Sequence, residues 1–185
     1  MKKSSFIILM LLVVISSFSF LQSCDKKNSE PATLTLYDSL GGSAQVNDPA
    51  HPGMMIQKGR LGIRSVVDST IFVIAADAKI NSYFNVLLTE VSHGDLSGFN
   101  ELSQNLTDLF CVATGSTDYT YMGLSMKDAH NPAVNPRING KVDSGDFDQF
   151  VNDLVEGAKK NAIPDYLIAR VGDIVVSLKA DVVQR

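Results

Sequence analysis

Few side chains in this 185-residue chain can do chemistry: three histidines, at positions 51, 93 and 130, and two cysteines, at 24 and 111. The chain holds no His-x-x-x-His pair, no Cys-x-x-Cys, no nucleophile elbow and no phosphate-binding glycine loop. Zinc hydrolysis, dithiol exchange and nucleotide binding therefore lack their usual signatures. His130 closes the segment Gly123-Leu124-Ser125-Met126-Lys127-Asp128-Ala129-His130, with Met126 one helical turn earlier. A short helix with an apolar side and a terminal lone imidazole suits a single axial ligand to a metal. On spacing alone it suits a surface or core histidine satisfied by its own surroundings better. His93, beside Gly94 and Asp95, reads as a helix-capping loop residue, and His51, in Pro49-Ala50-His51-Pro52, as a turn residue. Cys111 lies in an apolar helical stretch with nothing nearby to activate it, as a small buried hydrophobe would.

Cys24 has a different setting. Lys2 and Lys3 give a positive start, and Phe6 to Ile15 is an unbroken apolar run. That run suits a signal-peptide core and falls short of the roughly 20 residues of a spanning helix. Leu21-Gln22-Ser23-Cys24 follows, where the apolar character ends and a polar stretch begins. Leu, any residue, a small residue and Cys resemble the lipobox of bacterial lipoproteins; the alternative is a secretory signal with an incidental cysteine. The resemblance implies cleavage before Cys24 and acylation of its thiol, with residues 1–23 as the leader and 24–34 as a flexible tether. Several acyl chains, each contributing roughly 0.8 kcal/mol per buried methylene, make a durable anchor. The expected location is the cell envelope, lipid-anchored and facing the periplasm or the exterior. Cleavage leaves 14 basic and 20 acidic side chains, a net charge of −6.

Composition narrows the remainder. Apolar residues at 45% and charged residues at 19% exclude a disordered chain. Sixteen Lys and Arg against 20 Asp and Glu leave no excess to hold a phosphate backbone, so nucleic acid is not expected as a partner. Two cysteines are too few for a disulfide scaffold.

The elements positioning these residues read as helices. Ile63, Val66, Val67, Ile71, Ile74 and Ala75 follow the 3.6-residue period, as do Phe99, Leu102, Leu106, Leu109, Phe110 and Ala113 up to the stop at Thr114-Gly115. Phe147, Phe150, Val151, Leu154, Val155 and Ala158 form a third run, capped by Asp143 or Ser144. A fourth opens at Pro164 and carries Leu167, Val171, Ile174, Val175 and Leu178. Gly41 to Arg60, Gly115 to Tyr121 and His130 to Lys141 read as irregular segments, and strands with hairpin turns are not expected. The fold class is all-α.

These fragments in this order resemble the truncated haemoglobins, most closely their first group, over residues 35 to 185. Leu36-Tyr37-Asp38-Ser39-Leu40-Gly41-Gly42 matches the family's opening Leu-Tyr-x-x-Leu-Gly-Gly. Ile63 to Asp68 resembles the start of its second main helix, Ala76-Asp77 with Tyr83-Phe84 the stretch ending in a haem-packing Phe, and Ala113-Thr114-Gly115 its glycine turn. Tyr121-x-Gly123-x-x-Met126-x-x-Ala129-His130 resembles the proximal segment, whose His ligates iron. Asp146-Phe147-Asp148 and Pro164 to Ile168 fall where the last two helices begin. The resemblance implies a two-over-two helical sandwich around haem b, with His130 as the proximal ligand. It implies a haem pocket formed by Phe84, Met126, Ile71, Leu102, Leu106, Phe147 and Phe150, and a diatomic gas, O2, NO or CO, as partner.

The departures carry expectations of their own. The family's distal Tyr falls on Ile71, and its distal Gln positions fall on Leu102 and Leu106. Donors there stabilise the negative charge on bound O2, each by about 1.5 to 3 kcal/mol. With only apolar residues O2 should leave quickly, while CO and NO should bind well; Tyr83 and Tyr119 are the phenols within possible reach. About 15 residues are inserted after Gly42, carrying His51, Met54 and Met55, all able to ligate iron, although a surface loop covering the haem edge is the plainer reading, and about ten more lie between Phe84 and Leu102. Two other functions fit the same chain: a haem-free interaction module of this fold, and an NO-oxidising enzyme. The enzyme is disfavoured by the apolar pocket and by the want of a reductase segment.

Overall fold

A computed structural model describes residues 33–185. The expected leader, Cys24 and nearly all of the tether lie outside them. The first helix, α1 (Leu36–Ser39), is one turn long and stands on a reciprocal cap: Thr35 accepts from the Asp38 amide, and the Asp38 carboxylate accepts from the Thr35 amide at 2.9 Å. The Gly-Gly pair after it turns the chain with φ of +129° and +60°, conformations that a side chain resists.

The insertion after Gly42 holds the first correction. Gln45–Asn47 (β1) and Met55–Gln57 (β2) pair antiparallel, Val46 opposite Ile56. Each strand is three residues long and the connection is seven, so neither alternation nor a two-residue turn was there to be recognised. Helix α2 (Lys58–Ala76) then begins directly from β2, five residues before its apolar pattern starts. A short 3-10 turn (Asn81–Phe84) leads into α3 (Asn85–Ser92), a helix the sequence did not reveal, with His93 at its C-cap. Among its eight residues only Leu87 is buried, so it carries almost no apolar stripe.

The other helices follow the periodic runs: α4 (Ser97–Ala113), α5 (Met126–Ala129), α6 (Ser144–Lys160), α7 (Asp165–Ser177) and a final turn α8 (Lys179–Val182). Asp143 caps α6 in a reciprocal box with Asp146. Pro164 is the capping residue of α7, and the Val-rich end stays helical except for a break at Leu178.

Helix α2 packs most extensively on α6 and next on α4. Gly157 permits the first contact: a Cβ there would lie 2.9 Å from the Thr70 amide nitrogen and 3.0 Å from the Thr70 Cα. Val67, Ile71, Cys111, Phe147 and Leu154 fill the centre, each large aliphatic or aromatic side chain contributing about 1.5 to 3 kcal/mol by its burial. Among the described residues no single helix is long and apolar enough to cross a membrane.

Candidate functional site

His130 follows a helix that its own sequence holds in place. Ser125 caps α5, its hydroxyl accepting from the Asp128 amide at 3.1 Å and donating to the Asp128 carboxylate at 2.8 Å. At the other end the Asn135 side-chain amide donates to the Ala129 carbonyl at 2.8 Å. The C-terminal tail adds a strap: Gln184 donates through its side chain to the Lys127 carbonyl and through its backbone to Val142, both at 2.9 Å. The position of the imidazole is thus fixed from three directions.

The ring itself is committed at one nitrogen. Nδ1 lies 2.8 Å from the Met126 carbonyl, which can only accept, so the proton sits on Nδ1. Burial holds the pKa of His130 below the usual histidine range, with the Met126 carbonyl opposing the shift only in part. The result is a neutral imidazole whose Nε2 lone pair is free. Metal-binding histidines are oriented in this way, one ring N–H on a carbonyl and the other nitrogen toward the metal. Among the described residues no three His, Cys, Asp or Glu side chains gather closely enough to hold an ion. A metal at His130 would have to bring most of its own donors, as iron in a porphyrin does.

The side chains expected around a haem fall mostly together. Ile71 and Phe147 belong to the buried cluster, and Leu102, Leu106, Met126 and Phe150 pack against it. Phe84 does not join them; it lies half-buried at the end of the 3-10 turn. Neither phenol considered for the distal side is available. The Tyr83 hydroxyl donates to Asp146 at 2.6 Å, which with burial pushes its pKa up to about 12. Tyr119 lies edge-on to Tyr37, with the Arg60 guanidinium 4.4 Å from its ring centre, and faces the cleft beneath the hairpin, which neither Leu102 nor Leu106 lines. Thr70, beside Ile71, gives its hydroxyl to the Val66 carbonyl at 2.8 Å. The group of Ile71, Leu102 and Leu106 therefore gains no donor from these three.

Two cavities are lined elsewhere. A narrow apolar one of about 50 Å³ lies between α2, α6 and α7 and includes Ile63, Val66, Val151 and Val171. A broad polar cleft of about 790 Å³ separates the hairpin from α2 and α4. His51, Met54 and Met55 line this cleft together with Phe99, Ser103 and Thr107 of α4, whereas Leu102, Leu106 and His130 do not. The inserted residues thus stand on a different face of α4 from the leucines expected beside a haem. Cys111 is fully buried, and burial pushes its thiol up to about 11, leaving it protonated at neutral pH.

Sequence reasoning missed a side-chain network that anchors the last residue of the chain, next to the Gln184 strap. Tyr83, Asp143, Asp146 and Arg185 form one network, with the Arg185 guanidinium 3.1 Å from Asp146 and 3.2 Å from both Asp143 and the Tyr83 hydroxyl. Its members are far apart in sequence and no motif links them. Asp143, read as a candidate helix cap beside Ser144, was the one structural signal visible.

No known family profile matches the chain, and no curated protein does. Solved structures do. Three variants of the truncated haemoglobin from Tetrahymena pyriformis, each in the Fe(III) form, superpose with a TM-score of 0.58 at 16% identity. Each match covers 82% of this chain and 100% of the other. The all-α arrangement expected from sequence is the truncated globin fold.

Proposed function

We propose that this chain is a haem protein of the truncated haemoglobin type, in which His130 holds the iron of haem b and a diatomic gas binds on the opposite side. The observation that carries it is the state of His130: neutral, half-buried, its Nδ1–H spent on the Met126 carbonyl and its Nε2 lone pair free. The fold shared with the Tetrahymena protein supports the same assignment. When bound, haem would supply an iron able to take O2, NO or CO. The chain supplies the rest. The strap from Gln184 and the Asn135 amide keep the imidazole in place. Phe150, Met126, Leu102 and Leu106 offer apolar surface that keeps water away. Ile71, Leu102 and Leu106 offer bound O2 no hydrogen bond, so the chain favours CO and NO relative to O2.

The second part of the proposal concerns place. Cleavage before Cys24 and acylation of its thiol tether the domain to a membrane of the cell envelope, as the Leu21-Gln22-Ser23-Cys24 motif suggests. Gas binding by the purified, haem-reconstituted chain tests the first part. One CO per chain and an O2 complex that releases its ligand rapidly are the expected results. A folded chain that takes up no haem would refute it.

A further inference from the structure

Two carboxylates are buried among the described residues, Asp48 and Asp153. Arg64 holds Asp48 at 2.6 Å, whereas no described cation pairs with Asp153. Asp153 lies on α6, one turn before Gly157, and is 4% exposed. Its Oδ1 accepts from the Gln149 side-chain amide at 3.1 Å, and its Oδ2 is buried with no hydrogen-bond partner. Asp77, at the C-cap of α2, repeats the pattern: Oδ1 accepts from the Lys79 amide at 2.9 Å, and Oδ2 is buried and unpartnered. Lys79 reaches Asp153 only through Gln149, whose Oε1 accepts from Nζ at 2.9 Å. A carboxylate buried in this way is costly when ionised and far less so as the neutral acid. Burial therefore pushes the pKa of Asp153 up; the charges of Asp77 and Glu156 act the same way, and the Gln149 amide and Lys79 offset only part of the rise. The other charges around α6 are engaged elsewhere or exposed. On α2, Arg60, Arg64 and Asp68 bond to Asp108, Asp48 and Ser103, and Lys58 is exposed. On α7, Asp165, Arg170 and Asp173 are exposed; on α8, Asp181 is exposed and Lys179 pairs with Asp148 at 2.6 Å.

Asp77 also starts the turn that carries Tyr83 and Phe84. Its carbonyl accepts from the Ile80 and Asn81 amides at 3.2 and 2.9 Å, and the Tyr83 amide donates to the Ile80 carbonyl at 3.2 Å. We infer that Asp153 is a proton-operated latch between α6 and the end of α2: the neutral acid lets the turn from Asp77 to Phe84 close on α6, and its ionisation sets two like charges against each other and loosens that turn. The sign follows from linkage. A carboxyl whose pKa is raised by folding adds stability below its unfolded value and loses it as pH rises through the folded value. The latch is thus closed in acid and loosened toward neutral pH, and it uses no group proposed to hold haem.

The test follows the Asp153 carboxyl carbon of the full chain by NMR as pH is varied. Its midpoint should lie above the ordinary aspartate value of about 3.9, and Asp77→Asn should lower it by removing the like charge. Hydrogen exchange reads the latch itself. Protection of the Ile80, Asn81 and Tyr83 amides, corrected for the intrinsic pH dependence of exchange, should fall as pH rises toward that midpoint. One proton allows a change of up to about tenfold per pH unit. The Thr114 amide, bonded to the Phe110 carbonyl at the end of α4, should show no such step. In Asp153→Asn the protection of the turn should stay constant with pH, and this variant should melt above the parent at neutral pH and level with it near about pH 4. An Asp153 midpoint at or below the ordinary value, a midpoint unmoved by Asp77→Asn, or a step in protection that persists in Asp153→Asn would overturn the proposal.

Discussion

Replacing Tyr83 by Phe removes one hydroxyl and leaves the ring, so its effect can be worked from named contacts. The hydroxyl donates to Asp146 Oδ2 at 2.6 Å and accepts from Arg185 at 3.2 Å, and the Tyr83 carbonyl accepts from the Asn139 amide at 2.9 Å. The backbone bond survives the change; these two hydroxyl bonds, and the hydroxyl's longer contact to the Lys141 carbonyl at 3.3 Å, do not. A bond to a charged group contributes about 1.5 to 3 kcal/mol. Asp146 keeps the Asp143 amide at 3.0 Å and Arg185 at 3.1 Å and is partly exposed, which favours the lower end. A loss of about 1.5 kcal/mol lowers the melting temperature of a domain this size by about 3 to 6 °C. The pH dependence follows from Asp146. Burial pushes its pKa up, but the Tyr83 hydroxyl, the Asp143 amide and Arg185 outweigh this and hold it below the usual carboxylate range. A carboxyl depressed in the folded state adds stability above its unfolded pKa and loses it as pH falls through the folded value. The gap between Tyr83→Phe and the parent should therefore be full at pH 7 and shrink in acid below about pH 4. Thermal unfolding at both pH values checks this. A melting shift under 1 °C at pH 7, or a gap that persists undiminished in acid, would refute the reasoning.

Other substitutions probe separate parts of the account. Ile71→Tyr should slow O2 release from the haem-loaded chain by about tenfold or more, each 1.4 kcal/mol gained being tenfold, and alter CO release much less; stopped-flow ligand displacement reads both rates. The same change overpacks a buried site and should cost about 1 to 3 kcal/mol of stability. Gly157→Ala forces a methyl group against the Thr70 backbone at a cost of about 1 to 3 kcal/mol, so up to about 2 kcal/mol should be lost in denaturant unfolding after the helix-propensity gain of about 1 kcal/mol. Cys24→Ser should abolish tight membrane association in cell fractionation, and continued membrane binding of a cleaved Cys24→Ser chain would contradict the lipid anchor.

The legible parts of the fold were those where one physical signal repeats. Three periodic apolar runs mark α4, α6 and α7 nearly to their ends, and Asp143 marks the start of α6. Helix α3 was hidden because it buries one residue, and the hairpin because three-residue strands carry no period. The segment ending in His130 could be singled out by residue type, yet its spacing alone suited a satisfied histidine better than a ligand. Only the contact between Nδ1 and the Met126 carbonyl separates the two nitrogens. Tyr83 shows the opposite limit. A phenol beside Phe84 invited a distal role, and only the distant Asp146 and Arg185 reveal where its hydroxyl is held.

The ferrous absorption spectrum of the reconstituted chain, recorded for the parent and for His130→Ala with and without added imidazole, tests the central claim most directly. The account predicts one haem per parent chain, five-coordinate at rest. In His130→Ala that spectrum should be lost or shifted, and imidazole should restore it by replacing the missing ring. A His130→Ala spectrum identical to that of the parent would show that another group holds the iron, and would contradict the assignment of His130.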